Sequence, residues 1–371
     1  MRLFVIIKNL FKHDTLLGVC LILAGLSMLA VPPDAGYFSY FDIRVLCLLF
    51  CLMAVVLGFQ ECGVFAVLSQ RLLKSCNRLP TLCLVLVLLP FFSAMLVTND
   101  VALITFVPFT ILVFEQIGRN DKLVRIIVMQ TVAANLGSMA TPVGNPQNLF
   151  LYAFYTLDAN EFFAVVMPLV MASLAALSML ALSVKNDAIQ VCFSSQSTLC
   201  HPRRMAVYIT LFVLCLMTVF RLFPYLILNV IVIITLSVLS PVLLKKVDYS
   251  LLLTFVCFFL FAGNMGRMPQ IRQMLSALLK QNTLLSAIAA SQIISNVPAA
   301  VLLSNFTTDW RGLLLGVNIG GLGTPIASLA SLISLKLYLR VDHARPLRYL
   351  WVFTLLNIAG LLLLIWVVRA F

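Results

Sequence analysis

The chain has 371 residues, of which 62% are hydrophobic and only 10% charged, with a mean hydropathy of +1.09 and a formal charge of +12. So few charges cannot cover a soluble surface, which excludes a water-soluble globular domain and implies a bilayer. The basic excess sits in short loops between apolar runs of roughly 17 to 25 residues, so it sets membrane orientation and gives no reason to expect a nucleic-acid partner.

Residues 1–14 form a basic amphipathic lead. The apolar run that follows lacks a small-x-small exit before Pro32-Pro33, so it reads as a retained membrane helix and not a cleaved signal. Hydropathy then places spans at about 15–32, 42–59, 122–155, 161–184, 206–223, 225–243, 249–263, 311–339 and 347–370, the third and eighth long and broken. Two further apolar stretches are bent at polar triplets. Residues 80–114 bend at Thr98-Asn99-Asp100 and residues 283–306 at Ser295-Asn296-Val297, and both read as helical hairpins that enter and leave the membrane on one side.

With the N-terminus cytoplasmic, 18 of the 25 basic residues fall inside, leaving Arg44, Arg221, Arg267, Arg272, Lys280, Arg311 and Arg369 outside. This is the asymmetry the positive-inside rule expects, and treating either hairpin as a full span would spoil it. The expected fold is therefore an all-α polytopic membrane protein. It is an inverted-repeat arrangement of residues 1–184 and 206–371 around a polar cytoplasmic joint at 185–205. Residues 55–63, which run into an amphipathic segment, are echoed by residues 259–266, and after each come a hairpin, a broken span and one more span.

Unsatisfied backbone groups cost several kcal/mol each in hydrocarbon, so broken helices survive at membrane depth only where protein or a wet cavity covers them. The first break runs from Gly137 to Asn148 and includes Ser138, Thr141, Pro142, Gly144, Asn145, Pro146, Gln147 and Asn148. The second runs from Asn318 through Gly320, Gly321, Gly323, Thr324 and Pro325 to Ser328. Freed amide N–H groups favour an anion and freed carbonyls a cation, so two tips and two breaks together suit an anion carried with a small cation. The candidate substrate-binding residues are Asn99, Thr141, Asn145, Asn148, Ser295, Asn296, Asn318 and Thr324. The candidate coupling residues are Thr98, Asn99, Asp100, Ser138 and Gly144.

Asp100 is the carboxylate at a tip, where a charge costs at least about 2.5 to 3.5 kcal/mol. It reads either as a proton carrier or sodium ligand or as an N-cap, and capping is likewise the alternative for Thr98, Asn99, Ser295 and Asn296. For the second break the alternative is tight helix packing. Arg267, Arg272 and Lys280 either attract anions to an outer entrance or form a solvated face; Glu61 and Glu115 reach water; Trp310 and Trp351 read as interface anchors. The ten cysteines read as apolar fillers, and His13, His201 and His343 lie in cytoplasmic segments without partner ligands, so neither a cofactor nor a metal beyond a coupling sodium is expected. An enzyme would need convergent acid, base, nucleophile or metal groups, and Asp100 alone is a poor set. A channel would not need two opposed hairpins.

Thr-Asn-Asp-Val-Ala-Leu at 98–103, Thr-Pro-Val-Gly-Asn-Pro-Gln-Asn at 141–148 and Ser-Gln-Ile-Ile-Ser-Asn-Val-Pro-Ala at 291–299 resemble the YbiR-type inner-membrane permeases. These belong to the ion transporter superfamily, with arsenite permeases, citrate and dicarboxylate carriers and sodium/proton antiporters. The resemblance covers essentially the whole chain. It implies an inverted-repeat fold in the bacterial inner membrane, with a scaffold domain that forms a homodimer and a transport domain that moves as an elevator. The dicarboxylate carriers bind sodium and carboxylates at Ser-Asn-Thr tips. Here the tips read Thr98-Asn99-Asp100 and Ser295-Asn296-Val297, a departure that resembles the arsenite and antiporter branches and implies proton or single-cation coupling through Asp100. The expected function is secondary transport of a small anion driven by protons or sodium, with a cation/proton antiporter as the alternative.

Overall fold

A computed structural model describes residues 15–73, 76–189, 200–342 and 344–370, and these contain helices and no named strand. The N-terminal lead with His13, most of the polar joint and His343 lie outside the described residues. The first half comprises α1 (Thr15–Ala30), a short 3-10 turn (Ala35–Tyr40), α2 (Ile43–Glu61), α3 (Val64–Leu73), α4 (Leu79–Ala94), α5 (Asn99–Gln116), α6 (Asn120–Ser138), α7 (Pro146–Phe154) and α8 (Ala159–Leu182). The second comprises α9 (Pro202–Val219), α10 (Tyr225–Leu239), α11 (Pro241–Lys246), α12 (Tyr249–Arg267), α13 (Pro269–Gln281), α14 (Thr283–Ile294), α15 (Asn296–Ser304), α16 (Trp310–Ile319), α17 (Leu329–Tyr338) and α18 (Pro346–Ala370). Six of these, α2, α5, α8, α9, α12 and α18, are long and apolar enough to cross a membrane.

The helix ends follow local chemistry. Asp42, Asp158, Asp248, Asn282 and Asp309 cap their helices by accepting a backbone N–H, and proline opens α7, α9, α11, α13 and α18 in or near the first turn, where its missing donor costs nothing. Compared with the sequence expectation, α9 starts earlier, at Pro202, and α12 runs on to Arg267. The short α11 and the 3-10 turn were not expected.

The interruptions are of two kinds. At Thr98 and at Ser295 the chain folds back, and α4 packs on α5 and α14 on α15. The arms of the second pair, with 12 and 9 residues, are about 18 and 14 Å long at 1.5 Å per residue, too short to cross a hydrocarbon core of about 30 Å. The α5 arm has 18 residues and is long enough to span, so what marks it as half of a hairpin is its buried polar start and not its length. At residues 139–145 and 320–328 the chain breaks without folding back, and the two pieces of each broken span do not pack on each other.

Packing between the halves is reciprocal. α1 lies on α12 and α10 on α2; α5 lies on α17 and α15 on α7. One apolar core gathers around α4, α5, α6 and the inner face of α18, and a second joins α1, α2 and α7 to α9, α10, α12 and α14 to α16. Polar contacts close both ends. Asp34 pairs with Arg267 at 2.6 Å. At the far end of α2, Glu61 accepts from Ser240 at 3.1 Å and pairs with Arg204 at 3.6 Å. Arg267 is thus engaged in tying the halves together, and Glu61 is a joint between them and does not simply reach water. The start of the polar joint is also docked, since the Leu79 N–H donates to the Asp187 carbonyl and Arg119 pairs with Asp187 at 2.7 Å. Glu115 is exposed, as is Trp351, whereas Trp310 is half-buried under the Arg311 guanidinium. Most of the described cysteines are buried, and none is bridged.

Candidate functional site

The two fold-back points share one backbone conformation. Thr98 has φ 70° and ψ 149°, and Ser295 has φ 73° and ψ 157°. This left-handed extended region is almost exclusive to glycine, and each non-glycine residue held there costs on the order of 1 to 3 kcal/mol. Neither side chain caps the helix that follows, so the capping alternative fails for both. Asp100 is not a cap either. It lies in the first turn of α5, where a carboxylate suits the positive end of the helix dipole.

Four elements bring their polar residues together. From the first tip, Asn99 donates through Nδ2 to Asn135 Oδ1 at 3.0 Å, and Asn135 also accepts from Ser328 Oγ at 3.0 Å and faces Ser331 Oγ at 3.4 Å. From the first break, Asn145 donates to Asn318 Oδ1 at 3.2 Å and to Ser138 Oγ at 3.1 Å. Asn318 in turn donates to Asn148 Oδ1 at 2.7 Å, and Asn148 donates to the freed carbonyls of Met139 and Thr141, each at 3.2 Å. The second tip docks on its own break, where the Asn296 N–H and the Ser295 hydroxyl both donate to the Ala327 carbonyl, at 3.0 and 3.3 Å. Asn99, Asn135, Ser138, Asn145, Asn148, Ser295, Asn296, Asn318 and Ser328 are all buried, and buried polar groups are tolerated when they are paired with one another.

The hydroxyls of Thr141 and Thr324 are used in equivalent tethers, from Thr141 to the Met95 carbonyl and from Thr324 to the Gln292 carbonyl. Gly144 lets the chain press against the Ser138 carbonyl, a contact that any β-carbon would prevent. Asp100 Oδ1 is buried without a hydrogen-bond partner. Among the described residues, no group of three or more His, Cys, Asp and Glu side chains is placed to hold a metal ion.

Sequence reading missed Asn135, Gln292 and Ser331, each of which lies inside or beside an apolar helix. The signal was present for Asn135. Asn135-Leu-Gly-Ser-Met-Ala-Thr-Pro-Val-Gly-Asn145 matches Asn318-Ile-Gly-Gly-Leu-Gly-Thr-Pro-Ile-Ala-Ser328 without a gap. In that register Asn135 corresponds to Asn318 and Asn145 to Ser328. The hydrogen bonds cross accordingly: Asn145 donates to Asn318 and Ser328 to Asn135.

Apolar spans, interrupted helices and a buried polar network where the interruptions meet define a multi-pass membrane transporter, and comparison with known proteins agrees. The profile of the CitMHS citrate transporter family matches residues 3–308, and the chain belongs to that family, within the ion transporter superfamily. It is 34% identical over 334 residues to an uncharacterized transporter of Methanocaldococcus jannaschii, covering 88% of this chain and 90% of that one. It is 31% identical over 350 residues to the inner membrane protein YbiR of Escherichia coli, covering 92% and 91%. A silicon efflux transporter of Oryza sativa is 30% identical over 145 residues, 39% of this chain and 29% of that one.

Proposed function

We propose that this protein is a secondary active transporter that carries a small anion together with a proton or a sodium ion, by elevator-type alternating access. The observation that carries the reading is the meeting of two equally strained tips with two breaks whose asparagines bond across the halves, beside a buried carboxylate oxygen with no partner. An inverted repeat explains why the packing, the tethers and the crossed hydrogen bonds come in matched pairs. The cargo site is formed by Asn99, Thr141, Asn145, Asn148, Ser295, Asn296, Asn318 and Thr324. The helices that start at Asn99, Pro146 and Asn296 bring the positive ends of their dipoles to these residues, which suits an anion. Thr98, Asn99, Asp100, Ser138 and Gly144 serve the coupling cation. Because the family is described as citrate transporters, carboxylates are the first cargo to screen. The protein acts as a homodimer in a bacterial inner membrane, with its N-terminus in the cytoplasm; the inner-membrane name of the Escherichia coli relative and the 18 of 25 basic residues on one side support this placement.

The test is uptake of radiolabelled anions into vesicles under an imposed pH or sodium gradient. Asp100→Asn is expected to abolish gradient-driven accumulation while leaving exchange of cargo at equilibrium. Unchanged accumulation would remove Asp100 from the mechanism. A cation/proton antiporter without anionic cargo is favoured by one feature, namely that the site residues include a carboxylate and no basic side chain. Proton release on sodium addition with no anion present would establish it.

A further inference from the structure

We propose that the Gln292 side chain permanently occupies a monovalent-cation site in the second half, so that each transport cycle couples to one cation, held in the first half. The inference rests on the reading of Asp100 given above.

Unwound carbonyls at membrane depth are cation ligands; in the first break the Gly137 carbonyl accepts the Ala140 N–H and the Met139 carbonyl accepts from Asn148 Nδ2. In the second break these groups are already satisfied. Gln292 Nε2 donates to the Gly320 carbonyl at 2.9 Å and to the Leu322 carbonyl at 3.0 Å, while its Oε1 accepts the Thr324 N–H at 2.9 Å. The amide nitrogen therefore bridges two freed carbonyls as a desolvated cation would. The loop is shaped around it, since Gly323, at φ +112°, has no room for a β-carbon beside the Gln292 side-chain amide.

The matching position in the first half is Met95, four residues before Asn99 as Gln292 is four before Asn296. A thioether has no N–H to give. The opposite difference occurs two residues after each tip residue, where the first half has Asp100, with a buried oxygen lacking a partner, and the second has Val297. One half thus carries a buried acid oxygen without a partner and no donor at position 95, and the other carries a donor at position 292 and no acid. A device that only rigidified the hairpin would need the amide but would not need the acid to be absent from the same half.

The full-length protein in detergent is melted in sodium chloride and in choline chloride at matched ionic strength. Asp100→Asn alone reports on the first-half site, and a sodium response that survives it counts against the reading of Asp100. The difference between that variant and a double variant reports on Gln292. Removing the amide should open a sodium site. Gln292→Ala with Asp100→Asn is expected to melt lower in choline, and sodium should recover most of the loss with a slope corresponding to one ion. Gln292→Glu with Asp100→Asn keeps the shape of the side chain, replaces the donor with a carboxylate and should respond to sodium more strongly. The proposal is overturned if both double variants melt at the same temperature in sodium as in choline, because Gln292 would then be a structural staple with no ion site beneath it.

Discussion

The two hairpins have the same tip geometry but are fastened to their breaks by different means. In the first half the backbones themselves touch. A β-carbon on Gly137 would collide with the Phe91 carbonyl, and one on Gly144 with the Ala94 carbonyl, so α4 meets α6 and the break at glycine distance. In the second half α14 and α16 also approach closely, with Gly316 beside the Leu284 carbonyl, and side-chain hydrogen bonds are added, with Gln292 and Ser295 reaching the break and the Asn296 N–H docked on Ala327. The same tip geometry is thus held with more close packing in one half and more polar contacts in the other. In the second half Gln292 takes the Gly320 and Leu322 carbonyls, whereas in the first half Asn148 takes the matching Met139 carbonyl and Asp100 Oδ1 has no partner.

The sharpest way to break this comparison is at the glycines. Gly137→Ala pushes a methyl into backbone, which cannot yield, and is expected to cost about 3 kcal/mol, seen as a large fall in melting temperature or in folded yield. At the matching Gly320 the clash is shallower, 2.7 Å from Ser291 Cβ and 2.8 Å from the Gly316 carbonyl against 2.0 Å from the Phe91 carbonyl at Gly137, so Gly320→Ala should cost less in the same assay. Equal losses would mean that the halves are fastened alike.

A smaller effect separates the tethers. Thr141→Val removes the hydroxyl bond to the Met95 carbonyl, the sole hydrogen bond that position 95 receives from the break, and is expected to cost about 1 kcal/mol. Thr324→Val removes the equivalent bond but leaves the contacts of Gln292 in place, so its cost should be a fraction of that. Hydrogen exchange at residues 96–99 and 293–296 would locate the loosening in the first tip for one variant and leave the second tip protected in the other.

The smallest effect lies outside the membrane. The Arg267 guanidinium holds the Asp34 carboxyl below its ordinary value of 3.8. A carboxylate whose folded pKa is depressed stabilises the protein above its unfolded pKa, and that contribution disappears as the pH falls through the lower folded value. Asp34→Asn should therefore lower the melting temperature slightly at pH 7, and the difference should vanish as the pH falls through the depressed folded value.

The interruptions were legible because glycine, proline and small polar residues have no cheap place in an apolar helix. Residues 98–100, 137–148, 295–298 and 318–328 all fall where the chain turns or breaks. Asn135 and Gln292 were not legible by that logic, since each occupies an ordinary helical turn and acquires meaning only from partners far along the chain, Ser328 for one and Gly320 and Leu322 for the other. The ion pair of Asp34 with Arg267 and the joint at Glu61 were hidden for the same reason, because hydropathy reports which segments leave water and not which ends meet.

On the proposed function the two tips surround a solute that reaches water from both sides of the membrane. The most direct measurement introduces a single cysteine at Asn99 or Asn296, with the exposed Cys200 replaced, and follows its reaction with a membrane-impermeant thiol reagent in oriented vesicles. The account predicts that each position is modified as the protein cycles and that a transported anion, together with its coupling cation, protects both. If neither position reacts with the impermeant reagent while both react with a lipid-soluble one, the tips face acyl chains and the account is wrong.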